Sequence, residues 1–282
     1  MLTSHKRVCV KTLQYAIMII VALFMIFPIF WIFSNSLRTL VGISHFPPRL
    51  FPENPQFSNY VEVLRNSNAL LYFRNTMILV IANTVGTLIS SSMVAYPLAR
   101  MEFRGKKFVF ALILSTMMVP AVTTIIPQFI IFRELGWLDS LRPMIVPSFF
   151  AFPYNVFLFR QFFLTIPKSL DEAAKIDGCN PWQTFIVVIV PLAKPIFITI
   201  GVLSTIWWWN ELFLPLIYVQ SNHLRPLTTG ALSGFRVQGA QHLIQWNLQM
   251  AMATLMVIPP MILYLVASRY IVQGIKATGV KG

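Results

Sequence analysis

The sequence predicts an all-α membrane protein of six transmembrane helices, with both termini on the cytoplasmic side and a cytoplasmic helix-turn-helix loop between helices 4 and 5. Three observations predict it. The chain is 56% apolar and only 11% charged, where a soluble domain carries about 25% charged residues. Its charges leave long uncharged windows at 12–37, 75–99, 108–132, 143–159, 195–210 and 237–268. Between the fourth and fifth windows lies "SLDEAAKIDG", Ser169 to Gly178, a polar stretch in an otherwise oily chain.

Each span follows from its window. Crossing the hydrocarbon takes about 20 apolar residues, with about 17 as the lower limit, and five windows reach it. The fifth is short and becomes a span only when "NELFLPLIYV" extends it and Glu211 is tolerated near the hydrocarbon. The spans are therefore 13–34, 75–97, 108–130, 143–162, 195–219 and 247–268, inside a membrane domain of 13–268 flanked by cytoplasmic segments 1–12 and 269–282. Span 1 follows Lys6, Arg7 and Lys11 as a signal peptide would, but its apolar run exceeds the roughly 7 to 15 residues of a signal core, so it reads as a retained span. Pro120, Pro127, Pro147 and Pro153 fall inside spans 3 and 4, where neighbouring helices can satisfy the carbonyls that proline frees; they predict kinks.

The net charge of +13 would suggest nucleic acid in a soluble protein. Here topology explains it. With the N-terminus inside, fourteen of the 22 lysines and arginines fall on cytoplasmic segments, the bias expected of inner loops. Cys9 and Cys179 both fall on the reducing side, so no disulfide is expected. The first outer segment carries "HFPPRLFPENPQF", whose prolines forbid a long helix; it reads either as a packed cap or as a contact for an external partner.

Two stretches carry candidate chemistry. Ser169 and Glu172 match the S-x-x-E capping box, which predicts a helix start; Asp171 and Glu172 favour its positive end and Gly178 its termination. Asn180 and Pro181 then open a second helix. The first helix has only about eight residues, too few to stand alone, so it must dock. Ala173 and Ala174 leave a low surface flanked by Asp171, Glu172 and Asp177. In "WWWNEL", Trp209, Asn210 and Glu211 are candidates to line or support a solute path, since an ionisable group near the membrane interior is costly; an interfacial aromatic belt is the alternative. There is no phosphate loop, no zinc motif and no CxxC pair. Glu211 is the single carboxylate near the hydrocarbon, which disfavours a proton- or ion-driven carrier, although a self-contained channel or ion-coupled secondary carrier stays the rival class.

"EAAKIDGCNPWQTFIVVIVPLAKP" resembles the EAA loop, here 164–194, of the integral membrane subunits of bacterial ABC importers. Glu172, Ala173, Ala174, Gly178 and Pro191 carry the match, while Val188 and Val190 replace the usual Ile and Leu. "AYPLARMEFRGKK", "MMVPAVTTIIPQF", "LGWLDS", "FLFRQFFLTIP", "WNEL" and "GVKG" are similar to the maltose-type carbohydrate-uptake permeases. The resemblance implies a multi-pass subunit of the bacterial inner membrane, surrounded by lipid and translocating a sugar, oligosaccharide or related polyol compound. It pairs with a second homologous permease, takes solute from an extracytoplasmic binding protein, and rests on two ATPase subunits. Ser169, Asp171, Glu172, Ala173, Ala174, Asp177 and Gly178 would form the helix that seats in the ATPase. The resemblance implies no catalytic residue, metal or cofactor in this chain; ATP and Mg would be used by the partner.

Overall fold

The computed structural model describes residues 2–66, 68–237 and 240–278. The chain is helical apart from a small antiparallel hairpin, β1 (Arg236–Val237) and β2 (Ala240–Ile244), paired Arg236 to Ile244 and Val237 to Ala240. Nothing in the sequence pattern announces these two strands in the last outer segment. They supply main-chain partners locally where no helix does.

Among the described residues three helices are long and apolar enough to cross a membrane: α1 (Leu2–Ser36), within which Val10–Ser36 qualifies; the helix Ala69–Arg100; and the helix whose qualifying part is Trp246–Ser268. Three further pairs qualify only when joined across a break, with bends of 91°, 79° and 77°. The 91° bend falls inside span 3, whereas the 79° and 77° bends fall beside spans 4 and 5, which are interrupted separately at Ala151 and at Glu211 and Leu212. Helix α1 runs unbroken from Leu2, so residues 2–12 are continuous with the first span, and the last helix likewise runs on to Thr278. The "GVKG" terminus lies outside the described residues.

The chain divides into two compact units. One comprises Met1–Leu70 and Ala231–Ile258. None of the apolar window of α1 is buried, as a lipid-facing helix requires. Its outer end is tied down. The α2 helix (Ser58–Asn66) presents Asn59, whose amide donates to the Ser36 and Arg38 carbonyls at 2.8 and 2.9 Å, and Ser36 meets the Tyr60 hydroxyl at 2.6 Å. The proline-rich stretch before α2, 45–57, is held where Ser34 donates to the Leu50 carbonyl at 2.5 Å and the Gln56 N–H to the Leu37 carbonyl at 2.8 Å, and is otherwise largely exposed.

The second unit, Leu71–Gly230 with Pro259–Gly282, holds the site. Its elements are most of α3 (Ala69–Arg100), α4 (Lys106–Thr116), α5 (Ala121–Glu134), α6 (Pro153–Thr165), α7 (Ser169–Ile176), α8 (Lys194–Asn210), α9 (Phe213–Tyr218) and the end of α10 (Trp246–Thr278). Ala95, Tyr96 and Ala99 of α3 pack with Val156, Phe159 and Phe163 of α6 and Ile196 and Ile200 of α8 in one apolar core. The break before α6 is held by α3. A helical turn at Arg142–Ile145 passes into a 3₁₀ turn, Val146–Phe150, and Ala151 takes φ +56°. Ser90 donates to the Ser148 carbonyl at 3.0 Å and Ser91 accepts from the Phe152 N–H at 3.1 Å, which satisfies backbone groups that a broken helix leaves open.

Candidate functional site

The predicted capping box at Ser169 does not form. Ile166 is extended (φ −74°, ψ 131°), as the residue before a proline prefers, and the backbone is already helical at Lys168 (φ −66°, ψ −27°). Ser169 therefore sits inside the first turn and its side chain makes no cap bond; the Asp171 and Glu172 N–H groups both donate to the Lys168 carbonyl, at 3.0 and 3.2 Å. Pro167 moves the start of the helix upstream. A reciprocal box forms one helix later, where Asn180 Oδ1 accepts from the Gln183 N–H at 2.9 Å and Gln183 Oε1 from the Asn180 N–H at 2.8 Å, with Pro181 at the first helical position.

The end of α7 follows expectation. Gly178 takes φ +81°, the Cys179 N–H reaches the Ala174 carbonyl at 2.9 Å and the Gly178 N–H reaches Lys175 at 3.1 Å, the paired bonds of a left-handed glycine stop. Beyond it the chain does not continue as a regular α-helix. Thr184–Ile189 is π-helical and the Val190 N–H bonds five residues back to Phe185, because Pro191 has no N–H to give and its ring crowds the carbonyl four residues earlier. Phe185 and Ile189 nevertheless reach the core.

Helix α7 has two faces. Ala174 is buried and Asp171 partly so, while Ser169, Glu172, Ala173, Asp177 and Gly178 are exposed and Ile176 is 86% exposed. Ala174, expected on the docking surface, packs inward instead; a helix this short has room for only one outward stripe. The inward face is fixed by a residue whose charge the sequence explains by topology alone. Arg100, the last residue of α3, has a side chain only 3% exposed and forms an ion pair with Asp171. It also donates to the carbonyls of Phe163 at 3.1 Å, Ile166 at 2.6 Å and Pro167 at 2.9 Å. In return Arg160 of α6 donates to the Leu98 carbonyl of α3 at 3.1 Å and lies 4.0 Å over the Phe110 ring. Glu172 makes no ion pair or side-chain hydrogen bond among the described residues. It is a free charge on the outward stripe.

The second candidate cluster lies where α8 stops. Glu211 is extended (φ −63°, ψ 119°) and one carboxylate oxygen accepts from the Phe213 and Leu214 N–H groups at 2.9 and 3.0 Å, so it caps α9, while its carbonyl accepts from the Thr228 hydroxyl at 2.7 Å. Trp209 is buried and meets Phe73 edge to face at 6.0 Å; Asn210 is exposed and donates to the Ile206 carbonyl at 2.8 Å. Of the three, Trp209 is buried, Glu211 half-buried and Asn210 exposed. A further carboxylate is missed by sequence reasoning. Asp139, at φ +54°, accepts from the Gln220 N–H, the Ser221 N–H and the Ser221 hydroxyl at 3.0, 2.8 and 2.5 Å, and these bonds hold its pKa below the ordinary 3.8. Asp139 is the aspartate of "LGWLDS", so the motif is visible but its partner, 82 residues away, is not. Among the described residues no group of three His, Cys, Asp or Glu is placed to hold a metal ion.

Residues 86–277 match the family model described as the binding-protein-dependent transport system inner membrane component. The chain is 33% identical to the melibiose/raffinose/stachyose import permease protein MelC of Bacillus subtilis (strain 168), over 83% of this chain and 84% of that one. It is 32% identical to the trehalose transport system permease protein SugB of Mycobacterium tuberculosis (strain CDC 1551 / Oshkosh), over 90% and 92%. Among solved structures it resembles a chain of a bacterial ABC transporter involved in the import of the acidic polysaccharide alginate, with a TM-score of 0.83 at 27% identity, covering 93% of this chain and 96% of that one.

Proposed function

The chain belongs to the family of binding-protein-dependent transport system inner membrane components, and from that premise we propose that it is the permease subunit of an ATP-driven carbohydrate importer. One relative is named an import permease for melibiose, raffinose and stachyose, and others are named transport-system permeases for arabinooligosaccharides and for trehalose, which supports a sugar or oligosaccharide as solute. The stretches 106–134, 142–165 and 194–218 then each count as one crossing, with α7 outside the membrane. That gives six spans, and the excess of basic residues on the segments holding "ARMEFRGKK" and α7 supports a cytoplasmic placement of both termini.

The observation that carries the reading is the two-faced α7. It turns Asp171 and Ala174 toward its own membrane domain and Ser169, Glu172, Ala173 and Ile176 away from it. Glu172 and Ile176, four residues apart, share this outward stripe, and a helix of about eight residues needs a docking surface to persist. The partner this stripe meets is an ATPase subunit. ATP-driven closure of two such subunits displaces α7 in this chain and its counterpart in a second permease, and the spans then alternate access as rigid bodies. Solute arrives from an extracytoplasmic binding protein.

Purification of the tagged chain from its native membrane, followed by native mass spectrometry, tests the assembly. One copy of this chain, one homologous permease and two ATPase subunits is the expected composition; a stable oligomer of this chain alone, without an ATPase, would remove the proposal. A thermal-shift screen of the cognate binding protein against sugars identifies the solute.

A further inference from the structure

We infer that Arg100 is a positioning residue for coupling: its guanidinium clamps the outward-facing helix α7 to α3 and α6, so that a push on α7 moves all three together. This rests on the function proposed above. The chemistry is specific to the place. Pro167 supplies no N–H, so the Phe163 carbonyl lacks its ordinary helical donor and keeps only a long bond of 3.3 Å from the Ile166 N–H, as the Pro167 carbonyl keeps one of 3.4 Å from Leu170. Arg100 binds the Phe163, Ile166 and Pro167 carbonyls and the Asp171 carboxylate through its two terminal nitrogens, leaving Nε buried without a partner. The planar fork of arginine can span four acceptors in this way; the point charge of lysine cannot.

Burial makes the link stiff. The Arg100 side chain is 3% exposed and Asp171 Oδ1 is buried with no partner of its own, so drawing Asp171 away from Arg100 would leave the guanidinium buried without its counter-charge. The other ion pairs in the neighbourhood do not share this property. Glu102 lies 3.6 Å from Lys106 and 3.8 Å from Lys168, but Glu102 is 78% and Lys168 70% exposed, and such surface pairs hold little. Arg160 completes the clamp from the opposite side by binding the Leu98 carbonyl. The ends of α3 and α6 thus grip each other, and α7 is gripped by Arg100 and by the inward packing of Ala174.

Docking and transmission are then separate functions of one short helix, carried by Glu172 on the outward face and by Asp171 on the inward face. The test uses the assembled complex in proteoliposomes, comparing wild type with Asp171→Ala, Asp171→Asn and Arg100→Lys at matched abundance. Solute imported per ATP hydrolysed should fall at least fivefold in Asp171→Ala and Arg100→Lys and less in Asp171→Asn, with ATPase affinity within twofold of wild type. The second readout is the distance between spin labels at Ile176→Cys on α7 and Met93→Cys on α3, with both native cysteines replaced by Ser. A narrow distribution in the wild-type background should broaden in Asp171→Ala. If Asp171→Ala does not assemble, Asp171→Asn, which keeps the shape and an acceptor, carries both measurements. An unchanged transport-to-hydrolysis ratio with an unchanged distance distribution overturns the clamp. The failure of the proposed function looks different: the wild-type complex itself would show no ATP-driven uptake, while the distance measurement would still read the clamp.

Discussion

Glu172 separates docking from helix capping, and the structure changes what its variants should do. A capping box at Ser169 would make Glu172→Ala cost the helix about 1 kcal/mol. No such box exists, and the Glu172 carboxylate is exposed and unpaired among the described residues. Its loss should cost α7 only the favourable placement of a negative charge in the first turn, about 0.3 to 1 kcal/mol, offset in part by the better helix propensity of Ala. Docking is another matter. A hydrogen bond to a charged group contributes about 1.5 to 3 kcal/mol, which at about 1.4 kcal/mol per tenfold makes Glu172→Ala bind the ATPase roughly 10- to 150-fold more weakly. Glu172→Gln keeps a neutral bond of about half that strength and should bind roughly 3- to 12-fold more weakly. The assay is ATPase affinity for the reconstituted permease, with hydrogen exchange over α7 as control. Wild-type affinity in both variants would refute a docking role for the charge. Loss of α7 protection in Glu172→Ala would refute the structural assignment of its N-terminus.

Three other perturbations bear on the fold around the site. Gly178→Ala meets no atom within 4 Å but must hold φ +81°, so it should destabilise the end of α7 by about 1 to 2 kcal/mol through the backbone alone, visible as faster exchange of the Gly178-position and Cys179 amides. Gly86→Ala would put a Cβ 2.6 Å from Ser148 Oγ and 2.9 Å from the Phe149 ring; about 1 to 3 kcal/mol of overpacking should lower the melting temperature of the detergent-solubilised protein. Asp139 has a depressed folded-state pKa, so its stabilisation is complete above the ordinary value near 3.8 and is lost as pH falls through the lower folded value. Protection of the Gln220 and Ser221 amides should hold from neutral pH to about pH 5 and fail only below about pH 4, and Asp139→Asn should remove that acid step.

Local signals that agree with one another are readable and isolated ones mislead. Asn180, Pro181 and Gln183 all point to one helix start, and the helix starts there; Ser169 and Glu172 also match a start, but Pro167 two residues upstream sets the backbone first. Apolar windows locate the membrane segments, and two of the prolines mark breaks: Pro120 stands at the 91° bend in span 3 and Pro153 opens α6. The break at Ala151 has no glycine to mark it, and its backbone groups are satisfied by Ser90 and Ser91, 58 and 61 residues from their partners. The same blindness hides Arg100, which composition counts as a loop charge and which closes on an acid 71 residues later. Glu211 draws attention as a charge in an apolar stretch, and the structure adds that its carboxylate accepts from two N–H groups at the start of α9, which no residue spacing announces.

The central claim is that this chain moves solute with energy from a separate ATPase, delivered through α7. Proteoliposomes holding the assembled complex, with ATP on the α7 side and the cognate binding protein loaded with a radiolabelled oligosaccharide on the other, measure it directly. The account predicts uptake that needs both ATP and binding protein, is indifferent to proton and sodium gradients, and is absent when this chain is reconstituted alone. Gradient-driven uptake by the chain alone would contradict it.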